Sequence, residues 1–234
     1  SSWMNTSQIN GRLSRQQIAW RLAQDIPEGA YVNLGIGMPV LVGNYLPADR
    51  EIVIHSENGV LGMGPAPLIG EEDYDLINAS KGPITLVDGG SFSHQADSFA
   101  MIRGGHIDIC VLGAFQISAS GDLANWSTGG SDAIPGVGGA MDLAMGAKKV
   151  FVMTEHTTRR GEAKIVKHCS YPLTGKGVVS TIYSNIAVID VMEVGLVVRE
   201  KLKGLELEDL QNVTGALLHL ACDWKVLSAP DIAI

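Results

Sequence analysis

The chain has 234 residues, of which 46% are hydrophobic and 18% are charged, and its formal net charge at pH 7 is −8. This composition is typical of a globular protein with a large core and argues against extensive disorder. The acidic balance also argues against nucleic acid or an anionic membrane as the main partner, because both bind basic surfaces.

The cysteines and the N-terminal segment indicate the compartment. Cys110, Cys169 and Cys222 are odd in number and widely spaced, so they favour a reducing environment over a disulfide framework or a Cys-x-x-Cys metal site. No apolar run reaches the roughly 18 residues of a membrane span, and the N-terminus lacks the pattern of a signal peptide. We therefore expect a cytoplasmic protein. Residues 1–3 precede a methionine and are interpreted as the remnant of a tag, which leaves 4–234 as one domain.

The first 46 residues predict a helix, a strand and a second helix. Apolar residues recur every fourth position after Ser14, and Pro27 ends this first helix. A strand over 31–34 then leads through a glycine turn into a helix over about 39–46, with Pro39 in its first turn. This order is the start of a βαβ unit.

Strands and helices continue to alternate along the rest of the chain. Further strands are predicted over 52–55, 84–87, 107–112, 150–154, 163–166, 178–183 and 186–191, and helices over 92–103, 140–145 and 207–220. The region 118–139 is rich in Gly, Ser, Asp and Asn and predicts a long loop. The alternation predicts an open, mostly parallel α/β sheet with helices on both faces.

One carboxylate lies where a predicted strand ends. Glu57 follows the strand over 52–55, and Asn58 and Gly59 then turn the chain. Open α/β sheets bind ligands beyond the carboxyl ends of their strands, so Glu57 is a candidate site residue. A free glutamate has a pKa of about 4.3 and is ionised at pH 7, so it needs no base to act as a nucleophile. The local pattern alone also allows a solvated turn residue.

The segment 56–65, SENGVLGMGP, resembles the catalytic segment of the β or B subunit of the family I 3-oxoacid CoA-transferases, in which the Glu of S-E-N-G is the nucleophile. Further strings match this family in the same order: NLGIGMP at 33–39, DYDLINA at 73–79, SFAMIRGGH at 98–106, GDLANW at 121–126, GGAMDL at 138–143 and PLTG at 172–175. Together they cover roughly residues 15 to 215. The resemblance implies the open α/β fold that these transferases share with ribose-5-phosphate isomerase-like enzymes.

The resemblance also implies a mechanism and further site residues. Glu57 would attack an acyl-CoA and pass through a glutamyl-CoA thioester in a ping-pong reaction, with CoA as a substrate and with no cofactor and no metal. The amides of Gly139 and Ala140, after Gly138, would line the thioester site, and Asn33 would reach into it. The glycines could instead serve only close packing, and Asn33 only a local turn.

The family implies a partner chain, the α or A subunit, in a probable heterotetramer with two copies of each chain. Between Trp126 and Gly138 the chain lacks the two lysines of the acetoacetate type and is similar to the 3-oxoadipate branch. The acceptor acid, 3-oxoadipate or acetoacetate, stays open, and with it a role in aromatic degradation or ketone-body use.

Other signals are weaker. Gly35-x-Gly37 lacks the third glycine of a dinucleotide fingerprint, and the six histidines show no spacing typical of a metal site. Arg159 and Arg160 could bind the phosphates of CoA or form a solvated hairpin tip. Two other functions stay open: a non-catalytic, regulatory ligand-binding relative, and an isomerase or dehydrogenase on the same kind of sheet.

Overall fold

The structure is a computed structural model that describes residues 6–55, 106–125, 144 and 146–233, together with the backbone of strands at 60–64 and 85–92. Two α-helices in these residues are α1 (Arg15–Gln24) and α2 (Leu207–Asn212), and two 3-10 helices cover Thr6–Gln8 and Met38–Asn44. The strands are β1 (Tyr31–Leu34), β2 (Val53–His55), β3 (Val60–Gly64), β4 (Thr85–Phe92), β5 (Ile109–Leu112), β6 (Gln116–Ser118), β7 (Leu123–Ala124), β8 (Lys149–Met153), β9 (Ile165–Val166), β10 (Val179–Tyr183), β11 (Ala187–Met192), β12 (Gly195–Leu202) and β13 (Leu218–Leu227).

Ten of these strands form one sheet in the order β13-β12-β11-β10-β8-β5-β1-β2-β3-β4. Its centre, from β10 to β2, is parallel throughout, while β3 and β4 on one side and β11 and β12 on the other join antiparallel. The edge strand β13 pairs parallel with β12. The strands β7, β6 and β9 form a small second sheet. The prediction of an open, mostly parallel α/β sheet is confirmed.

The central strands are buried because they carry apolar side chains on both faces. All four residues of β5 are buried, as are Val150 to Met153 in β8. Continuous apolar strands of this kind are typical of parallel sheets that are covered on both sides. The core of the described chain therefore lies around β1, β5, β8 and β10.

Helix α1 begins where the sequence predicts. The Ser14 side chain accepts a hydrogen bond from the Gln17 amide, and the Gln17 side chain accepts one from the Ser14 amide, which forms a capping box. Ile18 and Leu22, one helical turn apart, are fully buried against the sheet. Because β1 runs from the opposite end of the sheet, α1 begins at the edge where the parallel strands end.

Two predicted helices are different in the structure. The segment predicted as a helix over 39–46 is the 3-10 helix Met38–Asn44. The helix predicted over 92–103 cannot begin at Phe92, because that residue ends β4; its remainder lies outside the described residues, as does most of the one predicted over 140–145.

The helix predicted over 207–220 is wrong beyond Asn212. The amide of Gly215 donates to the carbonyl of Ile165, and a Cβ at Gly215 would lie 2.9 Å from that oxygen. This close approach holds the chain extended, and β13 then pairs with β12. Long-range strand pairing thus overrides a helical pattern.

Candidate active site

The parallel strands place several chain segments at one edge of the sheet. The chain passes from β1 to β2 on one side, whereas β5 lies on the other side of β1. In open α/β sheets a ligand crevice lies outside the carboxyl ends of the strands, at the point where the strand order changes direction. Here that point is the end of β1.

Asn33 and His55 lie side by side at this point. They are in register on the neighbouring strands β1 and β2, and 2.5 Å separates the Asn33 side-chain nitrogen from His55 Nδ1. The Asn33 side chain is fully buried, and His55 is 2% exposed. Burial lowers the pKa of His55 to about 4, so the imidazole is neutral at pH 7.

The pair has two polar atoms without a partner. With the Asn33 nitrogen as donor, His55 Nδ1 accepts and the ring proton lies on Nε2. That Nε2 and the Asn33 Oδ1 are buried and make no hydrogen bond within the part of the chain that the structure describes. Buried polar atoms are nearly always hydrogen-bonded in proteins, so the pair offers one donor and one acceptor to a further group.

A second buried histidine shows what a satisfied site looks like. His156, fully buried after β8, contacts Ser184 Oγ through Nδ1 at 2.8 Å and Thr214 Oγ1 through Nε2 at 2.9 Å. Burial, with a smaller effect of the Lys164 charge, lowers its pKa to about 4. His156 therefore ties three segments together, whereas His55 keeps a free ring N–H among the described residues.

Gly35 brings the backbone of β1 close to β5. A Cβ at this position would lie 2.9 Å from both the Val111 carbonyl oxygen and a Leu112 methyl group. Only glycine allows this approach, because any larger residue would push the two strands apart at the crevice.

Of the predicted site residues, the structure describes Asn33 and places it at the crevice. Glu57, Gly138, Gly139 and Ala140 lie outside the described residues, although Glu57 follows β2 by two positions in the sequence. Sequence reasoning missed His55 as a site residue. The available signal was a polar residue that ends an apolar strand one position before S-E-N-G.

A groove of about 540 Å³ lies at the same edge of the sheet, beside the start of α1 and the ends of β8 and β10. Its lining includes Arg12, Arg15 and Arg159 from two separate segments. A second cavity, of about 480 Å³, lies at the opposite edge, where β1, β5 and β8 begin.

Metal ligands do not cluster in the described residues, which contain no group of three or more His, Cys, Asp or Glu side chains placed to hold a metal ion. The three cysteines are free. Within the same residues, no helix is both long and apolar enough to cross a bilayer.

The two buried histidines predict acid sensitivity. Each has a folded-state pKa of about 4 against 6.5 for the ordinary side chain, so below pH 6.5 the unfolded chain binds protons that the folded chain does not. Stability is therefore unaffected above pH 6.5 and falls as the pH drops toward 4. We expect the free energy of unfolding to decrease by about 2 kcal/mol per histidine between pH 7 and pH 5.

Urea denaturation at these two pH values measures this decrease. The pKa values of Asp25 and Asp108 lie below their ordinary range, so these carboxylates stay ionised and do not add to the loss. A free energy of unfolding that is equal at pH 7 and pH 5 would contradict the neutral buried histidines.

The fold and the crevice define an open α/β protein with a ligand site at the carboxyl edge of its sheet. Residues 15–211 match the family Coenzyme A transferase, and the chain belongs to this family. The resemblance to the β or B chains of the 3-oxoacid CoA-transferases is confirmed, and the chain is an enzyme of the CoA-transferase class.

Among curated relatives, the chain is 62% identical to the β chain of the 3-oxoadipate CoA-transferase of Acinetobacter baylyi over 207 residues, which cover 88% of this chain and 95% of that protein. It is 50% identical to the β chain of the succinyl-CoA:3-ketoacid coenzyme A transferase of Helicobacter pylori over 202 residues, 86% of this chain and 97% of that one. The acyl-CoA transferase YdiF of Escherichia coli O157:H7 has a similar solved structure, with a TM-score of 0.71 at 18% identity, over 92% of this chain and 43% of that one. This last likeness shows the fold alone.

Proposed function

We propose that the chain is the catalytic subunit of a CoA-transferase that moves CoA from succinyl-CoA to a 3-oxoacid through a glutamyl-CoA thioester at Glu57. The observation that carries this proposal is the position of S-E-N-G. It follows β2 directly, at the carboxyl edge of the sheet and beside the buried pair of Asn33 and His55.

The proposed reaction needs only the carboxylate and the two substrates. Glu57 attacks the thioester carbonyl, the carbon–sulfur bond breaks, and a mixed anhydride and a CoA thiolate form. The thiolate then attacks the glutamyl carbonyl and releases succinate, which leaves CoA bound to Glu57 as a thioester. The acceptor carboxylate enters, and the same steps run in reverse. One thioester replaces another, so the proposal includes no metal and no cofactor.

The oxyanions of these steps need hydrogen-bond donors. We assign this role to the backbone amides of Gly139 and Ala140, with Gly138 before them allowing close approach, as the family resemblance implies. Asn33 lies at the crevice and supplies polar contacts from the other side.

The acceptor we favour is 3-oxoadipate over acetoacetate. Identity is higher to the relative named for 3-oxoadipate than to the one named for a 3-ketoacid, and the region between Trp126 and Gly138 lacks the lysines of the acetoacetate type. Both relatives are named as the second chain of a two-chain enzyme, which supports assembly with an α chain, in a heterotetramer with two copies of each.

Competition between the two acids tests this function in the complex assembled from the α and β chains. With succinyl-CoA as the donor and equal 3-oxoadipate and acetoacetate, we expect 3-oxoadipyl-CoA to form faster. Faster formation of acetoacetyl-CoA would overturn the assigned acceptor. Binding of acyl-CoA without any transfer would favour the non-catalytic alternative.

His55 gives a prediction for the described part of the site. His55→Leu removes both ring nitrogens, and we expect kcat to fall at least about tenfold with little change in KM, since a buried, oriented donor at the reacting centre is lost. His55→Gln can still accept from Asn33 and donate onward, so it should retain most of the activity. Steady-state kinetics of the complex, with thermal unfolding as a folding control, measure both variants. Equal losses in Leu and Gln would contradict a hydrogen-bonding role.

A further inference from the structure

We propose that the groove between the start of α1 and the ends of β8 and β10 binds the phosphates of the nucleotide end of CoA. This inference rests on the proposed function and adds a binding site to it. The groove is lined by Arg12 and Arg15 from the first segment and by Arg159 from the hairpin after β8.

The charge of the groove differs from that of the whole chain. Its lining has three guanidinium groups and one carboxylate, Glu155, and so a net charge of +2, whereas the whole chain has −8. Polyanions are therefore attracted to this part of an otherwise acidic surface.

The guanidinium groups are available for a ligand. Arg159 is exposed and forms no ion pair among the described residues. Arg12 donates to the Thr6 carbonyl, which leaves its charge uncompensated by a carboxylate. Arg15 contacts Glu155 at 3.4 Å, with side chains 58% and 40% exposed. An exposed ion pair of this kind is weak, so a phosphate with two negative charges can replace the carboxylate.

Neutral donors surround these charges. Thr157, Thr158 and Asn185 also line the groove, and hydroxyl and amide groups complement arginine in phosphate recognition. The cavity at the opposite edge lacks this character, since it combines Lys148 and Lys149 with Asp25, Glu28 and Asp108. Of the two cavities, the arginine groove is the one suited to an anion.

The position of the groove fits the length of CoA. Three strand spacings separate β8 from β2 across β5 and β1, and at about 4.8 Å each they amount to about 14 Å. An extended pantetheine arm is long enough to join a nucleotide in the groove to a thioester at the crevice. Both places lie at the same edge of the sheet.

Two substrates that differ only at the nucleotide end test the inference. In the assembled complex we expect Arg159→Ala to lower kcat/KM about tenfold with succinyl-CoA and to leave it unchanged with succinyl-pantetheine, which has no nucleotide. Arg12→Ala should behave in the same way. Arg160→Ala is the matched control, because it is the neighbouring exposed arginine and is not part of the lining, so it should change kcat/KM less than twofold.

Binding of adenosine 3′,5′-bisphosphate gives a readout that does not depend on catalysis. We expect it to bind the complex, to compete with succinyl-CoA, and to bind about tenfold more weakly to Arg159→Ala than to Arg160→Ala. Equal affinities for these two variants, or equal effects of Arg159→Ala on both thioesters, would overturn the groove. Absence of transfer from either thioester would instead overturn the proposed function, and the binding experiment would still decide the groove.

Discussion

Replacement of Glu57 by Ala is expected to abolish CoA transfer, with kcat lowered by at least about 10³-fold. The proposed reaction forms two covalent bonds to this carboxylate, and a water molecule cannot provide the glutamyl-CoA intermediate. Glu57→Gln should be equally inactive, because a neutral amide is a poor nucleophile at pH 7. Coupled assays of succinyl-CoA and 3-oxoadipate in the complex with the α chain measure the loss.

Glu51→Gln is the matched control for this variant. Glu51 lies just before β2 in the same segment and is exposed. Its removal changes the net charge by the same amount, and it should leave kcat within about twofold, as expected for an exposed residue away from the reacting atoms. Turnover retained in Glu57→Ala would sink the mechanism, whatever the control does.

The second large effect is on stability and concerns Arg21. Its side chain, 11% exposed, bonds to Glu200 at 2.6 Å and to Asp25 at 3.1 Å. Burial by itself would lower the pKa of Arg21, but the hydrogen bond to Glu200 and the charges of Asp25 and Glu200 outweigh it and raise the pKa. Arg199 bonds to Asp25 from the other side at 2.9 Å. The network joins α1 to β12.

We expect Arg21→Ala to lower the free energy of unfolding by about 3 to 5 kcal/mol, because removal of one partner leaves buried carboxylates without compensation. Urea denaturation at pH 7 measures the change. Lys148→Ala removes an ion pair with Asp108 in which the lysine is 67% exposed, and it should change stability by less than about 1 kcal/mol. A loss for Arg21→Ala as small as that of Lys148→Ala would show that the network adds little.

Local sequence patterns predicted much of the fold. The strand over 31–34 is β1 with the same bounds, and α1 begins after Ser14, because capping and turn signals act within a few residues. The end of the chain was not predictable in this way. Residues 218–220 carry apolar positions that suit a helix, but pairing with β12 and the contact of Gly215 with Ile165 decide for a strand. No window of neighbouring residues contains those partners.

The site divides in the same manner. Glu57 could be proposed from its string and from the strand before it. The bond between Asn33 and His55 depends on the register of β1 against β2, and the arginine groove joins residues that are more than 140 positions apart. Register and long-range proximity are set by packing of the whole sheet, so neither feature could be found before the structure.

The most direct test of the central claim is mass spectrometry of the complex after incubation with succinyl-CoA alone and an acid quench. The account predicts a peptide containing Glu57 whose mass is increased by CoA less one water, released on addition of 3-oxoadipate before the quench and absent in Glu57→Ala. An active complex that never carries CoA on this peptide, or that carries it equally in Glu57→Ala, would contradict the account.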